Sequence, residues 1–334
     1  MTNLPKDKIK ISNSLNDYIN TVKLARSANT ARTYKTALDH FSNVLIKHSL
    51  LPDQINPDKL QEDCMAWFIA DLKKFSATTE RLYLTAVSGY FEYLVAENLS
   101  NINLSKIRLL IKQRARRPSQ RLPQFPKEYI EKMIIYANNL AFITAQDENE
   151  HLRNLRDRAF LITLADTGLR VHEACALRRG DLDWNEGKAL IIGKGNREAI
   201  IRFSNRALTC LRDYITARSK LDGASKRTLA SLPLFARHDR GAGKKIKPIT
   251  TTTGRNIVEQ RILEALGEEA IGTITPHSFR HYFVTTVLQG SGGNLKLAQE
   301  LARHKNIAVT QRYAHLSDEE LDKSYWDIFD EANK

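Results

Sequence analysis

Six polar side chains in the second half of the chain have the types and spacing to act on a phosphodiester. Tyr313 lies in LARHKNIAVTQRYAHLS, with His304 upstream of it in the same segment. Before them come Arg170 in DTGLRVHEACAL, Lys194 in IIGKGNREAIIRF, and His277 with Arg280 in TPHSFRHYF. A phenol is a poor nucleophile at neutral pH because its pKa is about 10. Cations and hydrogen-bond donors around it would make attack feasible. In-line displacement at phosphorus needs the charge on the non-bridging oxygens stabilised as it redistributes. Guanidinium groups suit that task because they are planar, always charged and able to donate two bonds at once.

Taken singly, each residue has an ordinary explanation. An arginine at a helix start is usually a surface residue, and a lysine at a hairpin tip usually faces solvent. Lys194 would act as a mobile cation that protonates a leaving 5′ oxygen. A lone tyrosine is more often a half-buried core residue, but Gln311, Arg312 and His315 give Tyr313 a polar setting. Arg280 follows His277 by one helical turn, so both project from the same face. The company of the six, in order, is what raises the reactive reading above the ordinary one.

These groups need elements to hold them. The chain has 334 residues and is 42% hydrophobic, enough for two domains with real cores. Its net charge of +13 points to a polyanionic partner. Cys64, Cys175 and Cys210 are odd in number and far apart, which fits neither a disulfide framework nor a zinc site. No apolar run is long enough to span a membrane, and MTNLPKDKIKISNS lacks the apolar core of a secretion signal. The expectation is a cytoplasmic, DNA-associated protein with no membrane partner.

Leu15, Tyr18, Ile19 and Val22 recur at helical spacing, as do Tyr34, Leu38, Phe41 and Leu45. Asn29 is the expected cap of the second helix. Asn56-Pro57 is the expected start of a third carrying Leu60, Trp67, Phe68 and Leu72, and a fourth carries Val87, Phe91, Leu94 and Val95. Four amphipathic helices predict a bundle over residues 1–112. The basic stretch KIRLLIKQRARRPSQR runs from Lys106 to Arg121, and Pro118, Pro123 and Pro126 discourage helix there. Residues 113–126 read as a basic linker, and 127–334 as a second domain. In that domain LRDRAFLITLAD is apolar on most sides and reads as a buried helix, which Gly168 can end. KALIIGKGNREAIIRF reads as a hairpin. Further helices are expected around 253–266, 277–289, 295–303 and 307–315. The fold class is mainly α with a small β-sheet.

The order and wording of these segments resemble the tyrosine recombinase family, also called the lambda-integrase family, which includes phage integrases and Xer- and Cre-like recombinases. TGLRVHEACALRRGDLDW resembles its first-arginine box, HSFRHYF its histidine–arginine box, and LARHKNIAVTQRYAHL its histidine-to-tyrosine box. Three boxes in order, with a basic hairpin between the first two, are far more specific than any one of them. The resemblance covers nearly the whole chain. It implies an N-terminal helical core-binding (SAM-like) bundle and a C-terminal α+β catalytic domain.

By that resemblance Tyr313 is the nucleophile that forms a 3′-phosphotyrosyl bond, and the chain is a site-specific DNA recombinase. Arg170 and Arg280 bind the scissile phosphate, Lys194 is the general acid, His277 assists proton transfer, and His304 bonds a non-bridging oxygen. Glu173 matches an acidic supporting position, and His281 a structural one. No cofactor or metal is required, since bond energy is kept in the covalent link. Partners would be duplex DNA at specific sites and further copies of the chain, as a tetramer on two sites; a partner recombinase or accessory factor is left open. The stripe Leu321, Tyr325, Ile328 and Phe329 would dock on a neighbouring protomer, or on its own domain. In the bundle, Lys23, Arg26, Arg32, Lys35, Lys73, Lys74 and Arg81 are candidate DNA contacts, with Arg114, Arg116 and Arg117 in the basic segment.

Two departures stand out. Arg303 occupies a position where the family usually has glycine, so the backbone there is expected to differ and the side chain to add a phosphate contact. FARHDRGAGKKIKP reads as a DNA-side loop without the spacing of a nucleotide-binding loop. A type IB topoisomerase-like strand transferase, or a silent DNA-binding regulator on the same fold, remain the alternatives. The complete set of six argues against silence.

Overall fold

The computed structural model describes residues 9–117, 126–193, 197–239, 241, 245–311 and 313. The chain divides into two compact units, Met1–Gln120 and Arg121–Lys334, so the division falls inside the stretch expected as a linker.

Among its described residues the first unit holds five α-helices rather than four: α1 (Ile11–Ala25), α2 (Ala28–Lys47), α3 (Asp63–Asp71), α4 (Ala77–Ala96) and α5 (Leu104–Arg114). The predicted apolar stripes form its core, with Phe41, Phe68, Tyr90, Phe91 and Leu94 fully buried. The Tyr90 hydroxyl lies 2.7 Å from that of Ser14, so the polar tip of a buried ring is satisfied. The extra helix, α5, takes in most of the basic stretch. Its cap is Asn103, which accepts from the Lys106 amide, and Ile107 anchors it to the core. Prolines bound this stretch only beyond Arg117, so nothing in Lys106–Arg114 opposes helix.

Two expected helix starts need correction. Ser27, not Asn29, caps α2 and accepts from the Thr30 amide. Asn56-Pro57 opens a one-turn 3-10 helix over Pro57–Lys59, and α3 begins only at Asp63. At α2 the sequence offers two able caps close together, whereas the residue that precedes α3, Glu62, makes no side-chain cap bond.

The second unit is built around α7 (Glu148–Thr167), whose Ala159, Phe160, Leu161, Ile162 and Leu164 are all buried. Asp147 caps its start and accepts from the Glu150 amide, and Gly168 ends it in the left-handed region at φ 58°. A Cβ at that glycine would run into the ring of Phe283. Around α7 pack α6 (Lys127–Asn139), α8 (Val171–Ala176), α9 (Asn205–Ala217) and α12 (Pro276–Gly290). A short α10 (Ser219–Ala224) follows α9, α11 (Thr251–Leu266) lies against α6 and α8, and α13 (Leu295–Ala302) and α14 (Ile307–Gln311) close the described chain.

A three-stranded antiparallel sheet follows α8, with β1 (Leu182–Asp183), β2 (Lys188–Gly193) and β3 (Arg197–Arg202) in that order. Lys188 pairs with Arg202 and Gly193 with Arg197. Residues 194–196, at the tip of this hairpin, lie outside the described residues. Lys194, expected at that tip, is among them.

The FARHDRGAGKKIKP segment is not simply a surface loop. Phe235 and Ala236 are fully buried, and His238 is buried with its ring 2.7 Å from the Tyr214 hydroxyl. Its start is core; among its later described residues Asp239, Gly241, Lys245 and Lys247 are exposed, while Ile246 is buried again. Among the described residues no helix is long and apolar enough to cross a membrane, and no group of His, Cys, Asp and Glu side chains is placed to hold a metal.

Candidate active site

The C-terminal end of α7 is the pivot of the site. Because Gly168 turns left-handed, its carbonyl is released from the helix ladder and needs a partner. Arg280 supplies it. The Arg280 guanidinium, buried to 1% exposure, donates through Nη1 to Gly168 and through Nη2 to the carbonyl of Ala302, the last residue of α13. One side chain on α12 thus ties together the ends of two other helices. Burial, with the cations Arg170 and Arg303 nearby, brings the Arg280 pKa down to about 10. It stays charged at neutral pH.

Arg170 follows two residues after Gly168 and caps α8. Glu173, three residues into that helix, accepts from both the Arg170 amide and its guanidinium, each at 2.9 Å. The Glu173 side chain is 3% exposed and that of Arg170 43%, so a buried carboxylate orients a guanidinium that opens to solvent. Burial works against the charge on Glu173, but Arg303 and Arg170 outweigh it and hold the carboxyl below its usual range.

Arg303 corrects one expectation. Its backbone takes the left-handed conformation that a glycine would adopt, at φ 57° and ψ 43°. The turn is kept despite the side chain. That side chain runs back under the site, where Nη2 donates to Glu173 at 3.2 Å.

The histidines and the tyrosine complete the group. His277 is exposed at the start of α12; partial burial, then Arg280 and Arg170, lower its pKa. His281 lies one turn on, its ring centroid 4.7 Å from that of His277 and 4.8 Å from that of Tyr313. The His304 ring lies near parallel to that of Tyr313, with centroids 6.2 Å apart. Tyr313 therefore neighbours two imidazoles, and it packs on the cluster of Val284, Leu288, Ala298 and Ala302. Burial, then His277 and Arg280, push His281 down to about 4, and burial, then Arg280 and Arg170, do the same to His304. Both rings are neutral at pH 7. The Nδ1 of His304 lies 2.9 Å from the hydroxyl of buried Thr310. When that hydroxyl donates to Nδ1, Nε2–H is left to donate outward.

A pocket of about 360 Å³ opens beside these groups, lined by Arg170, His172, Arg255, His277 and Arg280 among others. Arg255 was not singled out from sequence. It follows Gly254, whose absent side chain lets α11 approach α8: a Cβ there would stand 2.9 Å from Val171 and 3.0 Å from Cys175. Glycine inside the helical pattern TTTGRNIVEQ was the available signal for such a close approach. Thr310 and the two carbonyls were also missed, since a backbone acceptor leaves no mark on residue type.

Of the expected site residues, Arg170, Glu173, His277, Arg280, His281, His304 and Tyr313 are brought together, with Arg303 beneath them. Lys194 and the apolar stripe Leu321, Tyr325, Ile328 and Phe329 lie outside the described residues.

The first unit carries a second basic feature, a groove of about 800 Å³ lined by Arg26 just after α1, Arg81 of α4, and Lys112, Arg116 and Arg117 at the end of α5 and beyond, with Tyr34 on its wall. The other expected DNA contacts are exposed on this unit but several are engaged. Lys35 pairs with Asp39, Lys74 with Asp71, and Lys73 with Glu80, each at 2.8 Å. Arg116 also binds Glu80, at 2.6 Å. Lys23 and Arg32 reach Asn20 and Asn29 on their own helices. Arg114 is exposed, and its carbonyl accepts from Lys73.

Known proteins resemble this chain in sequence and in fold. The phage integrase family matches residues 134–320, more than half of the chain, and the N-terminal SAM-like domain of phage integrases matches residues 15–98. The tyrosine recombinase XerC of Thermodesulfovibrio yellowstonii is 28% identical over 320 residues, covering 93% of this chain and 94% of its own. XerC of Listeria welshimeri is 31% identical over 253 residues, 76% of each chain. Among solved structures, the XerH site-specific recombinase bound to its palindromic difH substrate has the same fold, with a TM-score of 0.63 at 20% identity over 97% of this chain and 91% of that one. A lambda integrase dimer on a core site gives 0.62 at 16% identity, over 92% and 96%.

The fold and site define a tyrosine recombinase, a DNA strand transferase. The chain belongs to the phage integrase family.

Proposed function

We propose that this protein cuts and rejoins duplex DNA at specific sites, with Tyr313 as the nucleophile. The Tyr313 oxygen attacks the scissile phosphorus, the P–O5′ bond breaks, and a 3′-phosphotyrosyl ester forms. The 5′ oxygen leaves with a proton supplied by Lys194. A 5′ hydroxyl from a second duplex then attacks the ester, and the tyrosine is released with its proton restored. Two transesterifications balance in bonds, so no nucleotide is consumed.

One observation carries this reading. Arg280, fixed by the Gly168 and Ala302 carbonyls, stands in one group with Arg170, His277, His304 and Tyr313. Two guanidinium groups there would share a phosphate, with Arg170 partly open to receive it. Neutral His304 would donate Nε2–H to a non-bridging oxygen, and His277 would relay the phenol proton. The basic groove of the first unit supports a role in holding the duplex backbone. Strand exchange between two duplexes needs several protomers, and we assign the working form as a tetramer on two sites, with the tail stripe docking on a neighbour. The reading places the protein with DNA in the cytoplasm.

The test is a library of nicked duplexes of random sequence, in which cleavage releases the short fragment bearing the new 5′ hydroxyl and traps the covalent adduct. Sequencing the trapped DNA should return one short, recurring site. Synapsis of two such duplexes then separates a recombinase from a topoisomerase-like enzyme. No adduct on any sequence would overturn the reading.

A further inference from the structure

The geometry points to Arg303 as a positioning residue for Arg170, acting through Glu173 from beneath the site. The inference rests on the proposed strand-transfer reading and adds to it a residue that touches no substrate. Three observations lead to it. Arg303 lies at the end of α13, held in the left-handed region, so its side chain leaves the helix in a direction that a right-handed residue would not give. Its Nη2 binds the Oε2 of Glu173, while the Oε1 of the same carboxylate holds the Arg170 guanidinium. And Arg303 does not line the pocket that Arg170 and Arg280 open into; its side chain is 12% exposed, and its Nε and Nη1 are buried.

The order of contacts is therefore Arg303, Glu173, Arg170, pocket. Arg170 already holds both oxygens of Glu173, through its guanidinium at Oε1 and its amide at Oε2. Arg303 adds a further donor at Oε2 and so restrains the terminal torsion, which is otherwise broad and soft. Fixing it narrows the directions in which Arg170 points. The same turn brings Arg303 within 3.5 Å of the Gly168 carbonyl that anchors Arg280. Arg303 thus touches the supports of both phosphate-facing arginines. A side chain at this position contributes a constraint that glycine cannot.

The experiment compares the full-length protein with Arg303→Gly, Glu173→Gln and the double variant. Glycine suits the left-handed backbone, so Arg303→Gly should stay folded with a melting temperature close to that of the parent. Arg303→Asn, which also tolerates this region, provides a second variant should the first unfold. Single-turnover cleavage of a nicked duplex at saturating DNA should fall about 10-fold or more in both single variants, with the DNA dissociation constant changed less than about 3-fold. The double variant should be no slower than the worse single one, because both act on one chain of contacts. A direct phosphate contact would instead weaken DNA binding, and independent roles would multiply the losses; either result overturns the inference, as does parental cleavage in Arg303→Gly.

A second arm needs no DNA. In protein with isotope-labelled glutamate, the Glu173 carboxyl should titrate below the usual range and move upward in Arg303→Gly. No movement would overturn the Arg303–Glu173 tether even if strand transfer proceeds. Absence of any adduct in the parent protein would overturn the strand-transfer reading and leave this arm to decide the tether.

Discussion

Arg280 donates to the carbonyl of Gly168, the residue that ends α7 in the left-handed region. A catalytic candidate is thereby anchored on a backbone atom that exists as a free acceptor only because the helix stops there. A lysine could keep the charge but not span Gly168 and Ala302 together. Arg280→Lys should lower cleavage by about 100- to 1000-fold and destabilise the fold by about 1–3 kcal/mol through the carbonyl left unpaired. Single-turnover cleavage and urea unfolding measure the two losses separately.

Gly168→Ala tests the other half of that relationship. The substitution forces a Cβ into the Phe283 ring at a positive φ. The expected loss is about 2–4 kcal/mol from backbone strain and overpacking together. Urea denaturation reads it directly. A loss under about 0.5 kcal/mol would show that the α7 end adapts freely, since surface substitutions commonly cost no more than that.

The site histidines set a pH dependence. Histidine in an unfolded chain titrates near 6.5, whereas His281 and His304 titrate at about 4 in the folded site. Between those values the unfolded chain binds protons that the folded site refuses. Stability is therefore full above about pH 6.5 and falls as the pH drops toward 4. The DNA-free protein should melt lower at pH 5 than at pH 7, and a His281→Asn, His304→Asn double variant should lose less over the same interval. Equal losses in the two proteins would contradict the burial of these rings as neutral groups.

The basic residues of the first unit should separate into two kinds. Arg26 and Arg81 line the groove, so Arg26→Ala and Arg81→Ala should weaken DNA binding uniformly across sequences and reduce the salt slope by about 1 for each phosphate no longer neutralised. Their melting temperatures should not change. Lys73, and Arg116 although it also lines the groove, bind Glu80, whose side chain is fully buried. Glu80→Ala should remove about 3 kcal/mol of stability, since it strands partly buried cations and leaves a buried cavity. Filter binding over a salt series, with thermal melting beside it, distinguishes the groups.

Much of this was legible in the residues. Leu15, Tyr18 and Ile19, or Leu38, Phe41 and Leu45, mark buried helix faces because the periodicity of burial is the periodicity of the helix. Arg170, His277, Arg280, His304 and Tyr313 carry their chemistry in their side chains, so their order could be read. The helix starts were less legible: Ser27 and Asn29 are both able caps, and packing rather than propensity chose between them. The α5 helix was hidden because its run is basic and reads as solvated, yet Ile107 is buried and Leu104, Leu110 and Ile111 pack beside it on the core. Arg303 was visible as a departure, but its destination was not. Where a long side chain ends depends on the sign of its backbone φ and on Glu173, which approaches from another element.

The most direct test of the central claim is to digest the trapped adduct and identify the residue that carries the DNA. The account predicts a nucleotide joined through its 3′ phosphate to Tyr313, and no adduct from Tyr313→Phe. A 5′ linkage, or a nucleotide on any other residue, would contradict it.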